Sequence, residues 1–295
     1  MEWLTKFPHL GDETLRALKL AIDEGFRGFT RGYGDTIEAI FDPLKFFLIK
    51  SEQLMLATPW PIMLAVMGLI AWLASRNWRI VAGKIATPVG IGLFGMWGDT
   101  MKTISMILLC PGLSILIGIP IGIAMSRSNR LQSIINPVLD VMQTMPSFVY
   151  LIPVVMLLGI GKVPGLIAVV IYALPPMIRL TNLGIRLVDH DVIEAADAFG
   201  SSPWQRLRNV QIPLALPTIM AGINQTIMMA LSMVVIASMI GVAGLGQPVL
   251  KAIANQYFTL GMFNGLAIVG IAIIFDRVSQ AFGHRLQKHR EVTHG

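Results

Sequence analysis

Near the start of the last third of the chain stands Glu194-Ala195-Ala196, followed by Gly200 and, after nine residues, by Val210-Gln211-Ile212-Pro213. These residues belong to a polar segment, 182–212, that separates two long apolar runs. In a chain whose other segments are apolar enough to lie in lipid, such a segment is available to another protein in the aqueous phase. The pattern therefore predicts that the 182–212 loop is a docking site.

The composition places the rest of the chain in a membrane. Of its 295 residues, 54% are hydrophobic and only 14% are charged, and the mean hydropathy is +0.68. A soluble domain has about 25% charged residues, so an all-α polytopic membrane protein is expected. The formal net charge of +6 is attributed to basic residues at the cytoplasmic ends of spans, and no nucleic-acid partner is expected.

Apolar runs of nearly spanning length predict about seven transmembrane helices. They cover residues 54–75, 80–97, 100–125, 138–160, 163–181, 213–240 and 259–277. The first two are interpreted as accessory helices within 53–97, the others as a core at 98–280, and 281–295 as a tail.

Residues 1–52 differ in composition from the rest, because they hold nine of the 17 acidic residues and seven of the 23 basic ones. Apolar residues recur there at helical spacing. This spacing predicts two amphipathic helices, broken near Gly25–Gly34, that lie on the membrane without crossing it. A poorly ordered tail is the alternative for residues 1–30.

Lysine and arginine in short loops predict the orientation of the spans. If seven spans alternate, one side holds most of these residues, and the short loops opposite hold Lys102, Lys162 and Lys251. The 182–212 loop and the C-terminus are therefore predicted to be cytoplasmic and the N-terminus to be outside. Six spans would place the N-terminus inside without moving the loop. The basic residues of the richer side are Arg76, Arg79, Arg127, Arg130, Arg186, Arg206, Arg208, Arg285, Lys288 and Arg290.

Residues that cap helices occur within the 182–212 loop. Asp191 and Glu194 have the spacing of a reciprocal cap, which predicts a short helix over 192–199. Gly200 is expected to end that helix in a left-handed turn. The helix would present Ala195 and Ala196, whose small side chains allow a partner to approach closely. An ordinary amphipathic connector is the alternative.

A second short helix is predicted to begin at Ser202-Pro203. Serine would be its N-cap, and proline would occupy the first position, where its missing N–H costs nothing. Pro213 is expected to begin the next span.

The spacing E-A-A, three residues, G, nine residues and an apolar-x-apolar-Pro ending resembles the EAA loop of ABC-importer permeases. Val210 and Ile212 stand where that family usually has Ile and Leu. Residues 95–280 are also similar to the permeases of glycine betaine, proline and choline importers, the quaternary amine uptake family. The segments that support this likeness are Gln143–Pro153, Gly159–Pro164, Tyr172–Pro176, Arg179–Arg186, Ala221–Thr226 and Ser232–Gly241.

The resemblance implies a type I ABC-importer permease core in a bacterial plasma (inner) membrane. It implies two copies of this chain, two copies of a cytoplasmic ABC ATPase, and an extracytoplasmic solute-binding protein. Solute would move by alternating access. The residues implied in coupling to the ATPase are Glu194, Ala195, Ala196, Gly200 and Pro213.

Two groups of residues are candidates for the transport path. Phe148, Tyr150 and Tyr172 are aromatic residues in predicted spans, where packing is the alternative role. Asn224, Gln225 and Thr226 place three polar side chains inside one span. Polar groups in a span often mark a transport route, and hydrogen bonding between helices is the alternative.

No G-x-x-x-x-G-K-[ST] phosphate loop occurs in the sequence, and such a loop is what cradles the phosphates of ATP in P-loop ATPases. ATP is therefore expected to be used by a partner, and this chain is not expected to be an enzyme or to hold a cofactor or metal. The function predicted is permease of a compatible-solute importer. The alternatives are an importer permease for an amino acid or anion, a secondary transporter, and a membrane scaffold that does not transport.

Overall fold

The protein is described by a computed structural model over residues 10–75 and 78–291, and it is almost entirely helical there. Residues 1–9, Arg76 and Asn77, and the tail residues 292–295 lie outside the described residues. Two 3-10 segments, Ser147–Tyr150 and Ser238–Ile240, and a π-helical turn, Leu207–Gln211, connect some of the α-helices. The α-helices are α1 (Asp12–Ala57), α2 (Trp60–Ser75), α3 (Trp78–Leu93), α4 (Trp97–Arg127), α5 (Asn129–Thr144), α6 (Leu151–Leu158), α7 (Lys162–Arg186), α8 (His190–Ala198), α9 (Pro203–Arg206), α10 (Ile212–Ala237), α11 (Gly246–Asn255) and α12 (Phe258–Glu291).

The centre of the protein is formed by α4, α7 and α10, which approach one another at small residues. A Cβ atom on Gly122 of α4 would lie 2.6 Å from Cβ of Thr181 and 2.8 Å from the carbonyl oxygen of Ile178, both on α7. Gly184 of α7 is equally close to α10, because a Cβ there would lie 2.9 Å from Cβ of Thr218. Such close backbone approach is a common way for helices to associate in lipid, where the hydrophobic effect does not drive them together.

The number of spans in the described residues lies between four and six by length and composition, against seven predicted. Two pairs of helices are long and apolar enough to cross a membrane only when each pair is counted as one span. Each pair is bent sharply at a short break: Asp12–Ala57 with Trp60–Leu73 by 110°, and Asn129–Thr144 with Ser147–Leu158 by 111°. Val81–Leu93 is apolar but short. Every predicted span still coincides with one of these helices. The four single helices that are long and apolar enough to cross a membrane are Trp97–Arg127, Lys162–Arg186, Pro203–Ile240 and Phe258–Gly283.

The predicted span 138–160 is not one straight helix. Pro146 has no N–H to donate, and proline disfavours the helical conformation of the residue before it. Met145 is accordingly extended, at φ −65° and ψ 131°. The Tyr150 hydroxyl donates a hydrogen bond back to the carbonyl oxygen of Met142. This bond joins the two arms of the bend.

The predicted break near Gly25–Gly34 is wrong, because α1 is one helix of 46 residues. A glycine costs about 1 kcal/mol relative to alanine inside a helix, and it does not by itself end one. The apolar positions keep their helical spacing through this region, as at Ile22, Phe29 and Tyr33, so the same helix face continues. The helix also passes the predicted boundary at residue 52.

The C-terminal part of α1 packs against the central helices, which was not predicted for a segment expected to lie on the membrane. Leu48 is only 1% exposed and belongs to the main hydrophobic core. Ser105 of α4 donates a hydrogen bond to the hydroxyl of Ser51 over 3.2 Å. Earlier in α1, large apolar residues such as Ile22 and Tyr33 are exposed.

Candidate functional site

The first helix of the 182–212 loop is α8, and its N-cap differs from the prediction. The Asp189 side chain accepts the backbone N–H of Asp191 over 3.0 Å. The prediction that Asp191 is the cap is wrong because the helix begins earlier, which leaves Asp191 inside the first turn, where a carboxylate is favoured by the helix dipole. Glu194 points into solvent one turn after His190, and its Oε1 lies 3.1 Å from His190 Nδ1.

The turn that ends α8 follows the prediction. Gly200 has φ +76°, a left-handed conformation that glycine adopts without steric cost. Its N–H donates to the carbonyl oxygen of Asp197 over 2.9 Å, and the N–H of Ser201 donates to that of Ala196 over 3.1 Å. These two bonds form a Schellman motif. Ala195 is exposed beside Glu194, and Ala196 is half-buried.

The second helix, α9, also begins as predicted. Ser202 accepts the backbone N–H of Gln205 over 3.3 Å, and the Gln205 side chain accepts the N–H of Ser202 over 2.8 Å. Pro203 occupies the first helical position. Pro213 does not begin the next span, however, because α9 continues through the π-helical turn 207–211 into α10 as one helical run, Pro203–Ile240.

Two exposed aromatic side chains flank the turn at Gly200, and neither was singled out from the sequence. Phe199 is 92% exposed, and Trp204 is 62% exposed. Burying an aromatic side chain of this size removes 150–250 Å² from water. Their position within a polar loop, next to a helix-ending glycine, was the available signal for a docking surface.

Arginine side chains fix the loop to the neighbouring helices. Arg186, at the end of α7, donates to Asn129 Oδ1 over 2.8 Å. Arg127, at the end of α4, donates to the carbonyl oxygen of Pro203 over 3.0 Å. Within the loop, Arg206 Nη1 lies 2.5 Å from Asp197 Oδ2 and joins α9 to α8.

The aromatic candidates for the transport path occupy different environments. Tyr150 is buried, and its ring meets that of Tyr172 edge-on, with centroids 5.6 Å apart. Phe148 is 57% exposed. Tyr172 itself is half-buried. Of the three, Phe148 is the side chain with the most surface available to a solute.

The three polar candidates on α10 also occupy different environments. Asn224 donates to Asp276 Oδ1 of α12 over 2.9 Å and accepts from the Ser279 hydroxyl over 2.7 Å. Gln225 is exposed, whereas Thr226 is fully buried. Asn224 therefore takes part in hydrogen bonding between helices, and Gln225 is the one of the three that faces outward. This cluster with Asp276 was not predicted from the sequence.

Within residues 10–75 and 78–291, no group of three or more His, Cys, Asp or Glu side chains is arranged to hold a metal ion. Asp140, near the end of α5, forms an ion pair with Arg179 of α7.

Residues 114–288 match the family described as binding-protein-dependent transport system inner membrane component. The chain is 46% identical over 292 residues to the glycine betaine/proline betaine transport system permease protein ProW of Escherichia coli, covering 96% of this chain and 82% of that protein. It is 47% identical to the glycine betaine/carnitine transport permease protein GbuB of Listeria monocytogenes, covering 78% and 82%.

Solved structures show the same fold at low identity. The MetNI methionine ABC transporter in an inward-facing conformation matches with a TM-score of 0.57 at 18% identity, over 63% of this chain and 93% of that one. An amino acid ABC transporter matches with a TM-score of 0.56 at 20% identity, over 67% and 98%. The chain is thus a permease of the binding-protein-dependent transport system inner membrane component family, with the type I ABC-importer fold.

Proposed function

We propose that this chain is the permease of an ATP-driven importer for quaternary amines and related compatible solutes such as glycine betaine, choline or proline. Relatives of this chain that are named for glycine betaine transport are 46% and 47% identical to it. The methionine and amino acid transporters are only 18–20% identical, so they support the fold and not a solute. A quaternary amine is therefore favoured over an amino acid or an anion.

The proposed coupling site is the turn of the 182–212 loop with its exposed aromatic residue. The observation that supports it best is Phe199, which is 92% exposed directly before Gly200. A side chain of this size is favoured at a protein interface, since its burial there contributes to binding. Glu194 and Ala195 are exposed on the same helix, so the carboxylate is available to basic groups of an ATPase.

A second copy of the chain is proposed to complete the transport path. The outer face of α5 exposes Ile134, Val138 and Val141 at 68%, 55% and 58%. One chain has one EAA-like loop, so two ATPase subunits require two permeases, and two-fold symmetry provides them. Phe148 and Gln225, which are exposed in the single chain, would then line the path.

The orientation proposed is cytoplasmic for the 182–212 loop and the C-terminus and extracytoplasmic for α1. It requires that each bent pair crosses the membrane once and that the short helix Val81–Leu93 crosses it too, which makes seven spans. It rests on the asymmetry of lysine and arginine described above. The exposed apolar residues in the first part of α1, such as Ile22, Phe29 and Tyr33, are proposed to contact the outer lipid surface, as amphipathic helices do.

The test is reconstitution in vesicles with the ABC ATPase and the solute-binding protein encoded in the same genome. We expect uptake of radiolabelled glycine betaine that requires ATP and is competed by choline or proline betaine but not by methionine. Competition by methionine alone would favour the amino-acid alternative. Uptake by the permease without any ATPase would support the secondary-transporter alternative. Mass measurement of the detergent-solubilised complex would check the proposed two permeases and two ATPases.

A further inference from the structure

The guanidinium group of Arg186 donates three hydrogen bonds, which reach two separate parts of the chain. Its Nε donates to Asn182 Oδ1 over 3.0 Å, its Nη1 to Asn129 Oδ1 over 2.8 Å, and its Nη2 to the carbonyl oxygen of Met125 over 2.9 Å. Asn182 is only 6% exposed, so its amide group is held in place by packing. The planar guanidinium therefore has one fixed orientation, which a point-like ammonium group would not have.

Two of these contacts lie in the short connection between α4 and α5, which we name the α4–α5 corner (residues 125–129). Ser128 caps the start of α5 by accepting the N–H of Leu131 over 3.3 Å. Arg186 reaches the corner three residues before Asp189, the N-cap of α8. The start of α8 is thus fixed to the corner.

The other half of the loop is fixed to the same corner. Arg127 lies within it, and its Nη2 donates to the carbonyl oxygen of Pro203, the first residue of α9. The Arg206–Asp197 ion pair then joins α9 back to α8. Displacement of the loop by an ATPase would therefore act on the corner from both sides.

The corner is the start of α5, and α5 leads to the bend at Pro146. At its far end the carbonyl oxygen of Met142 accepts the hydrogen bond of Tyr150, whose ring contacts Tyr172. The hydrogen bonds at the corner, the helix α5 and the contacts of Tyr150 thus connect the 182–212 loop to the aromatic candidates for the transport path. Bonds in this series join residues 57 and 61 positions apart.

We propose that Arg186 is a positioning residue for coupling: it transmits displacement of the 182–212 loop to the α4–α5 corner and thereby to α5. The inference rests on the proposed function, because it assumes an ATPase on the loop. The alternative is that Arg186 only stabilises the fold. The two differ in what a variant loses: a coupling role predicts ATP hydrolysis without uptake, whereas a stabilising role predicts loss of assembly and of both rates together.

The experiment compares Arg186→Gln, Arg186→Lys and Asn129→Ala with the wild-type complex, reconstituted in vesicles with its ATPase and binding protein. The quantity measured is glycine betaine taken up per ATP hydrolysed. Arg130→Gln is the matched control, because Arg130 is exposed in the first turn of α5 and its side chain forms no hydrogen bond or ion pair with the described part of the chain. Thermal unfolding and assembly with the ATPase are measured for every variant.

We expect Arg186→Gln to assemble and to hydrolyse ATP while uptake per ATP falls by at least about fivefold, the lower range of allosteric coupling. Arg186→Lys should behave like Arg186→Gln, since one ammonium group cannot reproduce three directed bonds. Asn129→Ala should show a smaller loss. In a double variant, Arg186→Gln/Asn129→Ala, it should add little to the loss caused by Arg186→Gln, because the two residues share a contact.

Three results would overturn the inference while the wild-type complex transports normally: unchanged uptake per ATP in Arg186→Gln, full rescue by Arg186→Lys, or loss of assembly and of both rates in parallel. A wild-type complex without ATP-driven uptake would instead contradict the proposed function, and the inference with it.

Discussion

Lys162 Nζ lies 2.6 Å from Glu52 Oε2, although the two residues are 110 positions apart. Glu52 belongs to α1 and Lys162 is the first residue of α7, and their side chains are 14% and 33% exposed. With Leu48 in the core and Ser51 bonded to Ser105, this ion pair fixes the C-terminal part of α1 to the transport core. The N-terminal segment is therefore attached to the protein by its last turns.

The first prediction concerns this attachment. Glu52→Lys should place two ammonium groups together and weaken the docking of α1 by roughly 1.5–3 kcal/mol, the range for hydrogen bonds to charged groups. Limited proteolysis in nanodiscs should then cleave α1 faster than in the wild type. The double variant Glu52→Lys/Lys162→Glu should restore much of the protection. Glu38→Lys is the control, because the Glu38–Lys45 pair is exposed and 3.5 Å long, and equal sensitivity in both variants would contradict the account.

The second prediction concerns the packing of α4 on α7. Gly122→Ala should destabilise the protein by about 1–3 kcal/mol through overpacking, because the added Cβ would lie 2.6 Å from Thr181 Cβ. Gly112→Ala is a control in the same helix, since nothing lies within 4 Å of a Cβ there. Thermal unfolding in detergent measures both. Equal melting temperatures for the two variants would mean that α4 and α7 are not in close contact at Gly122.

The third prediction concerns the exposed Phe199. Phe199→Ser should leave the melting temperature of the permease unchanged, because the side chain is 92% exposed. It should weaken binding of the ATPase about tenfold or more, as expected for an aromatic residue at an interface. A binding titration in detergent with the purified ATPase measures this. Phe258→Ser, at a residue 78% exposed at the start of α12, should have no effect. Unchanged affinity of Phe199→Ser would exclude Phe199 from the interface.

The fourth prediction concerns orientation. Cys110 is the single cysteine and is buried, so it can be replaced and new cysteines placed one at a time at Arg130, Asp191 and Ile160, all of which are exposed. These sites avoid the capping residues Ser128 and Ser202 and the paired Lys162. An impermeant thiol reagent should label only position 160 in intact cells, and all three after permeabilisation. Labelling of position 191 in intact cells would reverse the proposed orientation.

The parts of the 182–212 loop that were predicted correctly depend on local chemistry. Gly200 adopts the left-handed conformation because only glycine does so without cost. Ser202 and Pro203 begin α9 through hydrogen bonds and backbone angles that involve only residues close in sequence. The start of α8 was misplaced because Asp189 and Asp191 are both acceptable caps, and sequence spacing does not choose between them. The continuous helical run from α9 into α10 was not predicted, because proline is common at the start of a helix and Pro213 was therefore taken as the first residue of the span. The π-helical turn before Pro213 continues the helix instead.

Contacts between residues that are far apart in the sequence could not be predicted from it. Nothing near Arg186 indicates that Met125 and Asn129 lie beside it, and nothing near Asn224 indicates Asp276, 52 positions later. Helical continuity through Gly25–Gly34 was also missed, because a glycine signals a break only when the apolar spacing changes as well. The segment 138–160 was predicted as one span, whereas a 111° bend at Pro146 places α6 against α7.

The turn at Gly200 is proposed to transmit ATP-driven movement to the spans, and one substitution tests this role directly. Nothing lies within 4 Å of a Cβ on Gly200, but its φ is +76°, so a side chain there is penalised by the backbone alone, by about 1–2 kcal/mol. Gly200→Val should disturb the end of α8 without touching the spans. Gly200→Asn is the control, because asparagine tolerates the left-handed conformation.

The measurement is ATP-driven uptake of glycine betaine, together with ATP hydrolysis, in vesicles containing the permease, its ATPase and its binding protein. We predict that Gly200→Val folds and forms a dimer but loses solute-stimulated ATP hydrolysis and uptake together, while Gly200→Asn keeps both. Normal coupled transport by a correctly folded Gly200→Val protein would show that the 182–212 loop is a passive connector and would contradict the account.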